Sequence, residues 1–246
     1  MGRALLNGLL STGLYRPGDL HVANPHTDKL EDLRLRGVNV SSSNAAVAKD
    51  ADLLVVAVKP WIVGAVASEL SAAADLRDTQ VCVIAAGVPG DELKRMFGVE
   101  LRGLCLAMPN TALAVGKSMT FIVPLSGESP AVLKVFGETG RVQVVEESRL
   151  PALTALASCG IAYAMRYARA AVEGGVELGV RASEGQQIVA QTISGAMALL
   201  EQPGAHPETE IDKVTTPGGI TIRGLNAMEK AGFTAAVIEG LKASAK

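Results

Sequence analysis

ADLLVVAV, residues 51–58, is an apolar run that only Asp52 interrupts, and it has the length expected for a β-strand. Two runs of the same kind follow along the chain, QVCVIAAG at 80–87 and GLCLAMPN at 103–110. Such runs are typical of strands that are buried on both faces of a parallel sheet. Between the first two runs, WIVGAVASELSAA (61–73) has the apolar spacing of a helix. The region therefore predicts βαβ units and a doubly wound α/β sheet.

The alternation of strand and helix extends in both directions from this region. Upstream, the patterns predict helices at 3–13 and 28–37, a short helix at 43–49, and strands at 20–24 and 38–41. Downstream, they predict strands at 118–125 and 142–147 with a helix between them.

The pattern changes after residue 147, where no further run resembles a strand. Residues 150–200 are typical of two long helices with a break near 179–183, and residues 221–245 predict a terminal helix. We therefore predict a dinucleotide-binding Rossmann-like domain at 1–147 and an all-α domain at 148–246.

Composition excludes several classes of function. The net charge of −2 gives no broad basic field for nucleic acid or an anionic membrane, and no apolar run approaches the ~20 residues of a membrane span. The sequence shows no secretory leader, and its three widely spaced cysteines are typical of a reduced, cytoplasmic protein. Three histidines without metal spacing predict no metal site. The expected partner is a small molecule.

The predicted strand ends are the candidate binding residues, because open α/β sheets bind ligands beyond the carboxyl ends of their strands. These ends are small, polar or turn-forming: Asn24, Lys59–Pro60, Ala86–Gly87 and Met108–Asn110. Each one alone is typical of a turn, but several in one sheet favour a ligand crevice.

The expected phosphate loop is incomplete in this sequence. A dinucleotide-binding domain should begin with a strand, then G-x-G-x-x-G, then a helix. Here Met1 and Gly2 lead directly into the helix, and Gly2 matches the third glycine. We expect that the first strand and the first two glycines lie outside the given sequence. The alternative is a remodelled protein that no longer binds the cofactor normally.

The residues after LHVAN (20–24) bear on cofactor choice. An NAD site prefers an acidic side chain at this strand end, whereas this chain has Asn24 followed by His26, Thr27 and Lys29. The segment favours NADP, and an ordinary polar turn is the alternative interpretation.

Several short segments along the chain match the pattern of one known family. They are MGRALLNGL (1–9), AVKP (57–60), AAG (85–87), MPNT (108–111), EGGVELGV (173–180) and AQT (190–192). The most specific segment is DKVTTPGGITIRGL (212–225), which is followed by EKAGF. Through these segments the chain resembles the pyrroline-5-carboxylate reductase family from end to end.

This resemblance implies an NAD(P)H domain joined to a helical dimerisation domain, in a homodimer or a larger dimer-based assembly. The implied reaction reduces L-1-pyrroline-5-carboxylate to L-proline with NADPH, or alternatively NADH. The implied catalytic residue is Thr221, which also binds substrate with Glu147, Lys213, Thr216, Gly218 and Gly219. The implied cofactor residues are Met1, Gly2, Asn24, Asn44, Ala57, Val58, Lys59, Pro60, Ala85, Ala86 and Gly87.

The loop at Pro217–Gly219 gives this resemblance a physical basis. Backbone N–H groups at the start of a helix form a natural seat for a carboxylate, and glycine lets the chain approach a ligand closely. We expect Thr216 to add a hydroxyl donor and Thr221 to orient the imine nitrogen. The alternative is that both threonines only cap the helix.

Two departures and three other interpretations bear on this assignment. Ala112 stands where the family has proline after MPNT, and SCGIAY (158–163) replaces a stretch like GSGPAY. A reductase of another cyclic imine and a non-catalytic ligand-binding relative stay open. A β-hydroxyacid enzyme would need a lysine on the helical domain, and residues 150–200 contain none. Trp61 and Tyr163 are expected to be packing residues.

Overall fold

The computed structural model describes residues 1–49, 51–73, 75–98 and 100–245. The chain divides into two compact units, Met1–Ser158 and Cys159–Lys246. All seven strands that the described residues form belong to the first unit.

The strands, numbered in chain order, are β1 (His21–Ala23), β2 (Asn39–Ser41), β3 (Leu53–Val56), β4 (Gln80–Val83), β5 (Gly103–Met108), β6 (Ser118–Gly127) and β7 (Gly140–Val144). The helices of the first unit are α1 (Gly2–Thr12), α2 (Glu31–Leu35), α3 (Asn44–Ala48), α4 (Val63–Ala73), α5 (Gly90–Phe97), α6 (Pro130–Gly137) and α7 (Leu150–Thr154). The second unit contains α8 (Gly160–Glu177), α9 (Ala182–Leu200), α10 (Pro207–Val214), α11 (Ile220–Lys230) and α12 (Phe233–Ser244). Short 3₁₀ turns occur at Pro17–Asp19, Thr27–Leu30, Pro60–Ile62, Thr111–Val115 and Glu147–Arg149, and a π turn at Ala155–Cys159.

The strands form two sheets within the described residues. β1 pairs with β2 in parallel, and the larger sheet has the order β3-β4-β5-β6-β7. The pairs β3–β4, β4–β5 and β6–β7 are parallel, as the alternation of strand and helix predicts.

The pair β5–β6 is antiparallel, which the sequence analysis did not predict. The connection over residues 109–117 carries only a 3₁₀ turn. A parallel connection needs a crossover of a dozen or more residues, so a link of this length returns the chain in the opposite direction.

The core of the first unit lies on both faces of the larger sheet. Every residue of β4 and β5 is buried. Leu70, Leu93 and Phe97 pack on one face, while Leu9 and Phe136 pack on the other. This two-sided burial explains why these three runs are apolar at nearly every position instead of alternating.

The predicted strands 51–58 and 80–87 are longer than the observed ones. Residues 57–58 and 84–87 continue the apolar runs, but they lie beyond the ends of β3 and β4. The predicted terminal helix at 221–245 is instead two helices, because the chain turns at Gly232 with φ of +86°. A left-handed glycine at this place commonly ends a helix.

The segment between Leu150 and Ser158 packs with the first unit. Leu150 and Ala155 are buried, and Leu150 belongs to the core cluster that covers one face of the larger sheet. The compact units therefore divide after Ser158, whereas the predicted functional domains divide after residue 147.

Candidate functional site

The carboxyl ends of β3 and β4 bring two predicted cofactor segments to the same sheet edge. Because these strands are parallel neighbours, residues 57–60 and 85–87 leave the sheet side by side. Gly2 begins α1 next to them: a Cβ on Gly2 would lie 3.4 Å from the Cβ of Ala57. The structure therefore groups Met1 and Gly2 with Ala57–Pro60 and Ala85–Gly87.

This grouping has the features that an anionic dinucleotide requires. The first turn of α1 has no side-chain cap and no acidic residue, so its free N–H groups and the helix dipole favour an anion. Gly87 has φ of +81° and open space where a side chain would be, and both Ala86 and Gly87 are exposed. These features favour an anionic ligand at this sheet edge.

The side chains of Asn24 and Asn44 form hydrogen bonds with other residues of the first unit. The Asn24 side-chain oxygen accepts a hydrogen bond from the backbone N–H of His26 at 2.9 Å. Asn44 begins α3 and donates to Glu69 on α4 at 2.8 Å. The polar-turn interpretation therefore accounts for the Asn24 side chain without a ligand, and a role of Asn24 toward a cofactor stays a prediction.

Arg3 is a cation at this end of α1 that the sequence analysis did not name. Its guanidinium donates to the backbone oxygen of Lys29 and to the Asp32 carboxylate, the latter at 2.5 Å. This pair joins α1 to the segment after β1. The hydrogen bond to Arg3 lowers the pKa of Asp32.

Trp61 was expected to pack inside the protein, and this prediction is wrong. Its side chain is 78% exposed, and the Lys59 ammonium lies 6.0 Å from the ring centroid. That distance is at the outer limit of a cation–π contact. An apolar sequence neighbourhood gives no signal of this exposure, because Trp61 lies in the turn at Pro60–Ile62 and not within a strand.

Glu147 holds the start of α5. Its carboxylate accepts a hydrogen bond from the Gly90 N–H at 2.7 Å, across a separation of 57 residues. A Cβ at Gly90 would lie 2.6 Å from the other carboxylate oxygen, so a larger residue here would displace the Glu147 side chain. A carboxylate at a helix N-terminus is stabilised by the free amides and the dipole. No local sequence pattern around Glu147 indicates this contact with Gly90.

The loop before α11 is a tight turn that the sequence specifies. The Gly219 N–H donates to the Thr216 carbonyl at 2.9 Å, and Gly218 has φ of +72°. Proline at the second position and a left-handed glycine at the third define a type II turn. A Cβ on Gly219 would lie 2.6 Å from the Thr216 hydroxyl oxygen, so this position also requires glycine.

The turn leaves the N-terminus of α11 open. Gly219 is the N-cap residue, and no side chain caps the helix. The N–H groups of Ile220, Thr221 and Ile222 therefore have no acceptor within the helix. Within the described residues the Thr221 hydroxyl, which is exposed, makes no hydrogen bond. The interpretation that Thr216 and Thr221 only cap this helix is thus not observed.

Lys213 lies on α10, in the same unit as the loop. Its ammonium is 2.7 Å from the Glu210 carboxylate, one turn earlier on the helix. The loop residues and Lys213 belong to the second unit, whereas Glu147 and all the predicted cofactor residues belong to the first.

The MPN segment before Ala112 is hydrogen-bonded to residues 157–158, at the start of the second departure. Asn110 is buried and donates to the Ala157 carbonyl at 3.2 Å, and Ser158 donates to the Pro109 carbonyl at 3.3 Å. Asn110 also caps the turn at Thr111–Val115 by accepting from the Ala112 N–H at 3.0 Å. These residues therefore support each other structurally.

The described part of the chain contains no cluster of metal-binding side chains. No described helix has the length and apolar character needed to cross a membrane. Cys82 and Cys105 are neighbours in register, both buried as free thiols. Burial raises the pKa of the Cys82 thiol, so it is not an activated nucleophile.

Comparison with known proteins agrees with this geometry. Residues 147–246 match the family model "Pyrroline-5-carboxylate reductase dimerisation", and residues 1–87 match "NADP oxidoreductase coenzyme F420-dependent". The pyrroline-5-carboxylate reductase of Escherichia coli is 34% identical over 98% of this chain and 91% of that protein. The enzyme of Methanosarcina acetivorans is 31% identical over 98% and 90%.

Solved structures give the same result. The NADP-bound Plasmodium falciparum pyrroline carboxylate reductase is 26% identical, with a TM-score of 0.88 over 100% of this chain and 92% of that one. The Coxiella burnetii pyrroline-5-carboxylate reductase gives a TM-score of 0.87 at 26% identity, over 99% and 92%. The predicted Rossmann-like domain followed by a helical dimerisation domain is confirmed.

The fold and the strand-end site define the class: this protein is an oxidoreductase with an NAD(P)-binding domain. Within that class, the chain belongs to the pyrroline-5-carboxylate reductase family, as its motifs predicted.

Proposed function

We propose that this protein reduces L-1-pyrroline-5-carboxylate to L-proline, the last step of proline biosynthesis, with NADPH as the donor and NADH as the alternative. The observation that carries the proposal is the open N-terminus of α11 behind the turn at Thr216–Gly219. The NADP-bound relative supports the choice of cofactor.

The substrate carboxylate binds at the start of α11 in this proposal. Ile220, Thr221 and Ile222 offer free N–H groups there, and the helix dipole adds partial positive charge. The Gly219 N–H is committed to the turn, so it shapes the seat and does not bind the anion. Thr216 adds a hydroxyl donor, and Lys213 adds positive charge to the same unit.

Thr221 orients the imine in this proposal. When bound, the cofactor supplies a hydride from nicotinamide C4 to the imine carbon, and a proton on the ring nitrogen completes the amine of proline. A threonine hydroxyl is a poor acid, so Thr221 directs the nitrogen and relays a proton that comes from solvent. Most of the rate acceleration then comes from holding the two reactants face to face.

The first unit holds the cofactor in this proposal. Met1, Gly2, Ala57–Pro60 and Ala85–Gly87 line the sheet edge, while Asn24 and Asn44 border it. Glu147 keeps α5 in place beside this edge by accepting a hydrogen bond from the Gly90 N–H. The functional domains are 1–147 and 148–246.

The protein acts as a cytoplasmic homodimer, or as a larger assembly of dimers, in this proposal. Two observations support it: large apolar side chains of the second unit are exposed, and all three cysteines are free thiols. Sedimentation over a range of concentrations tests the oligomer. A monomer at all concentrations would contradict the assembly.

The test of the catalytic role is Thr221→Ala. We expect turnover to fall by about a hundredfold, measured as NADPH oxidation with proline quantified as product. Thr221→Ser should restore most of the rate. The matched control is Thr215→Ala, because the Thr215 hydroxyl already donates to the carbonyls of Ile211 and Asp212. Parental turnover in Thr221→Ala would refute the role of this hydroxyl.

The second candidate is a cofactor-impaired relative, in which the start of α1 and the segments after β3 and β4 would not hold a dinucleotide. Titration with NADPH separates the two candidates, because micromolar binding by the 246-residue chain excludes impairment.

A further inference from the structure

Trp61 is the only tryptophan of the chain, and it lies on the surface of the first unit. Among the described residues its indole N–H finds no hydrogen-bond acceptor. Ile62, the next residue of the same turn, is 41% exposed. Single exposed apolar side chains are normal on protein surfaces, so exposure alone indicates no site. What Trp61 can bind therefore depends on its place in the fold and on its neighbours.

The turn that carries Trp61 stands at the ligand-binding edge of the larger sheet. Residues 60–62 form this turn, which begins just beyond the carboxyl end of β3 and leads into α4. Open α/β sheets bind ligands at this edge, and the start of α1 lies there with Gly2 against Ala57. Trp61 comes four residues after Ala57, so their Cα atoms are no more than ~14 Å apart. An exposed aromatic ring thus accompanies the anion-favouring start of α1.

Lys59 adds an uncommitted positive charge to this ring. Its ammonium lies 6.0 Å from the centre of the Trp61 ring, and within the residues that the structure describes it has no carboxylate partner. Residues 53–68 contain no Asp or Glu, and the next carboxylate, Glu69, accepts a hydrogen bond from Asn44. A free cation beside an open aromatic ring matches a ligand that carries both a phosphate and a planar base.

The packing of α4 places this ring on the adenosine side of the sheet edge. Asn44 of α3 donates to Glu69 of α4 at 2.8 Å, and Ala48 of α3 shares a core cluster with Val63 and Ala67 of α4. α3 follows β2, which pairs with β1. In this fold the residues after the strand at the position of β1 bind the adenosine ribose of a dinucleotide. The planar base nearest to α3 and α4 is therefore the adenine.

We propose that Trp61 stacks on the adenine ring of the bound nicotinamide dinucleotide, with Lys59 holding a phosphate beside it. This inference rests on the cofactor part of the proposed function. NADPH and NADH carry the same adenine, so the stack adds affinity for both without choosing between them. The adenine takes no part in hydride transfer, so Trp61 should change cofactor binding and leave the reaction step alone.

The tryptophan reports on its own contact, because no other tryptophan contributes to the emission. The protein is titrated with ADP-ribose and 2′-phospho-ADP-ribose, which contain adenine but no nicotinamide. Nicotinamide mononucleotide, which contains no adenine, is the opposite probe. We expect the adenine fragments to quench Trp61 emission and to protect the ring from acrylamide, whereas nicotinamide mononucleotide should do neither. None of these titrations requires turnover.

The affinity of variants separates stacking from simple coverage of the ring. Trp61→Ala should weaken the binding of NADPH and of 2′-phospho-ADP-ribose in calorimetry by about 5- to 100-fold, the range expected for one base on an aromatic ring. Trp61→Phe should recover most of this loss because it keeps an aromatic face, whereas Trp61→Leu should not. In turnover, Trp61→Ala should raise KM for NADPH and leave kcat near the parental value.

Leu35→Ala is the matched control for loss of an exposed apolar side chain. Leu35 is the last residue of α2 and is 81% exposed. It precedes the amino end of β2, at the edge of the sheet opposite to the ligand-binding edge. Its affinity for NADPH and for the adenine fragments should equal that of the parent. Circular dichroism shows whether each variant is folded.

Three results would overturn the proposal. One is equal NADPH affinity in the parent and in Trp61→Ala. Another is quenching by nicotinamide mononucleotide but not by ADP-ribose or its 2′-phosphate, which would place the ring at the other end of the cofactor. The third is Trp61 emission that responds to protein concentration and not to the adenine fragments, which would mean that a second copy covers the ring.

The same measurements distinguish this inference from the proposed reaction. If the adenine fragments quench Trp61 and Trp61→Ala weakens NADPH binding, the stack is supported even when no proline is formed. In that case only the proposed reaction fails. A parent protein that binds neither NADPH nor the adenine fragments would overturn both.

Discussion

The two units of this protein differ in how they bury apolar surface. In the first, Leu33, Val81, Leu93 and Phe136 are among many side chains with almost no exposure. In the described part of the second, Gly185 is the one buried residue. Both units consist of regular elements, so secondary structure alone does not separate them. A chain that folds around its own core thus continues into helices whose apolar faces need a covering surface.

This contrast explains the distribution of exposed apolar side chains. Met165, Ile188, Leu199 and Ile238 are each about half exposed or more, and they lie on three of the helices of the second unit. Soluble monomers rarely expose large apolar patches, whereas interfaces of permanent dimers resemble a core that has been cut in half. The second unit therefore exposes apolar side chains of the kind that subunit interfaces cover, whereas the first has the interior of a domain.

The largest expected effect compares two leucines. Leu93 on α5 is fully buried, so Leu93→Ala should lower the free energy of unfolding by about 2–5 kcal/mol through lost burial and a residual cavity. Leu178 follows α8 and is 86% exposed, so Leu178→Ala should change it by less than about 0.5 kcal/mol. Urea unfolding followed by circular dichroism measures both. If Leu178→Ala lowered the free energy of unfolding as much as Leu93→Ala, the contrast between the units would be contradicted, because Leu178 would then be covered in the native assembly.

Two glycines test the same contrast with smaller expected changes in stability, and the two changes have opposite signs. A Cβ at Gly8 on α1 would lie 2.1 Å from the Leu113 carbonyl oxygen, so Gly8→Ala should destabilise by about 1–3 kcal/mol through overpacking. Gly195 on α9 has open space, so Gly195→Ala should stabilise by about 0.5–1 kcal/mol through its helix propensity.

Thermal unfolding at several protein concentrations measures this pair. Gly195→Ala should raise Tm by about 1–4 °C. A lower Tm that depends on concentration would show that a partner helix packs on Gly195, which would place the subunit interface on that face of α9.

Sequence patterns predicted the elements that depend on residues close together in the chain. The apolar runs at 51–58, 80–87 and 103–110 each contain an observed strand, because two-sided burial requires apolar residues at nearly every position. The Pro217–Gly218 pair likewise predicts the turn before α11, since it supplies the backbone angles of a type II turn.

Contacts between distant residues could not be predicted in this way. No local pattern connects Glu147 to Gly90, and none distinguishes an exposed tryptophan at position 61 from a buried one. The segment after Leu150 illustrates the same limit. Its apolar spacing predicts a helix, but only the packing of Leu150 and Ala155 assigns that helix to the first unit.

Surface ion pairs are expected to have the smallest effect on stability. Both units carry them, so they do not account for the difference in apolar burial between the units. Examples are Asp75–Arg77 in the first unit and Glu173–Arg169 in the second. The hydrogen bond from Arg77 lowers the pKa of Asp75 from 3.8 to about 2. Because this pKa is lower in the folded state, the ionised carboxylate stabilises the fold above pH ~4, and that contribution disappears as the pH falls toward 2.

Asp75→Asn should therefore lower Tm slightly at pH 7, and the difference from the parent should vanish near pH 2. Both groups of the pair are more than half exposed, so about 1 M salt should reduce the difference further. Glu173→Gln is the counterpart in the second unit and should have an equally small effect at pH 7. A difference that persists at pH 2 would mean that Asp75 acts through packing instead of charge. A large effect of Glu173→Gln alone would mean that ion pairs, and not covered apolar faces, hold the second unit together.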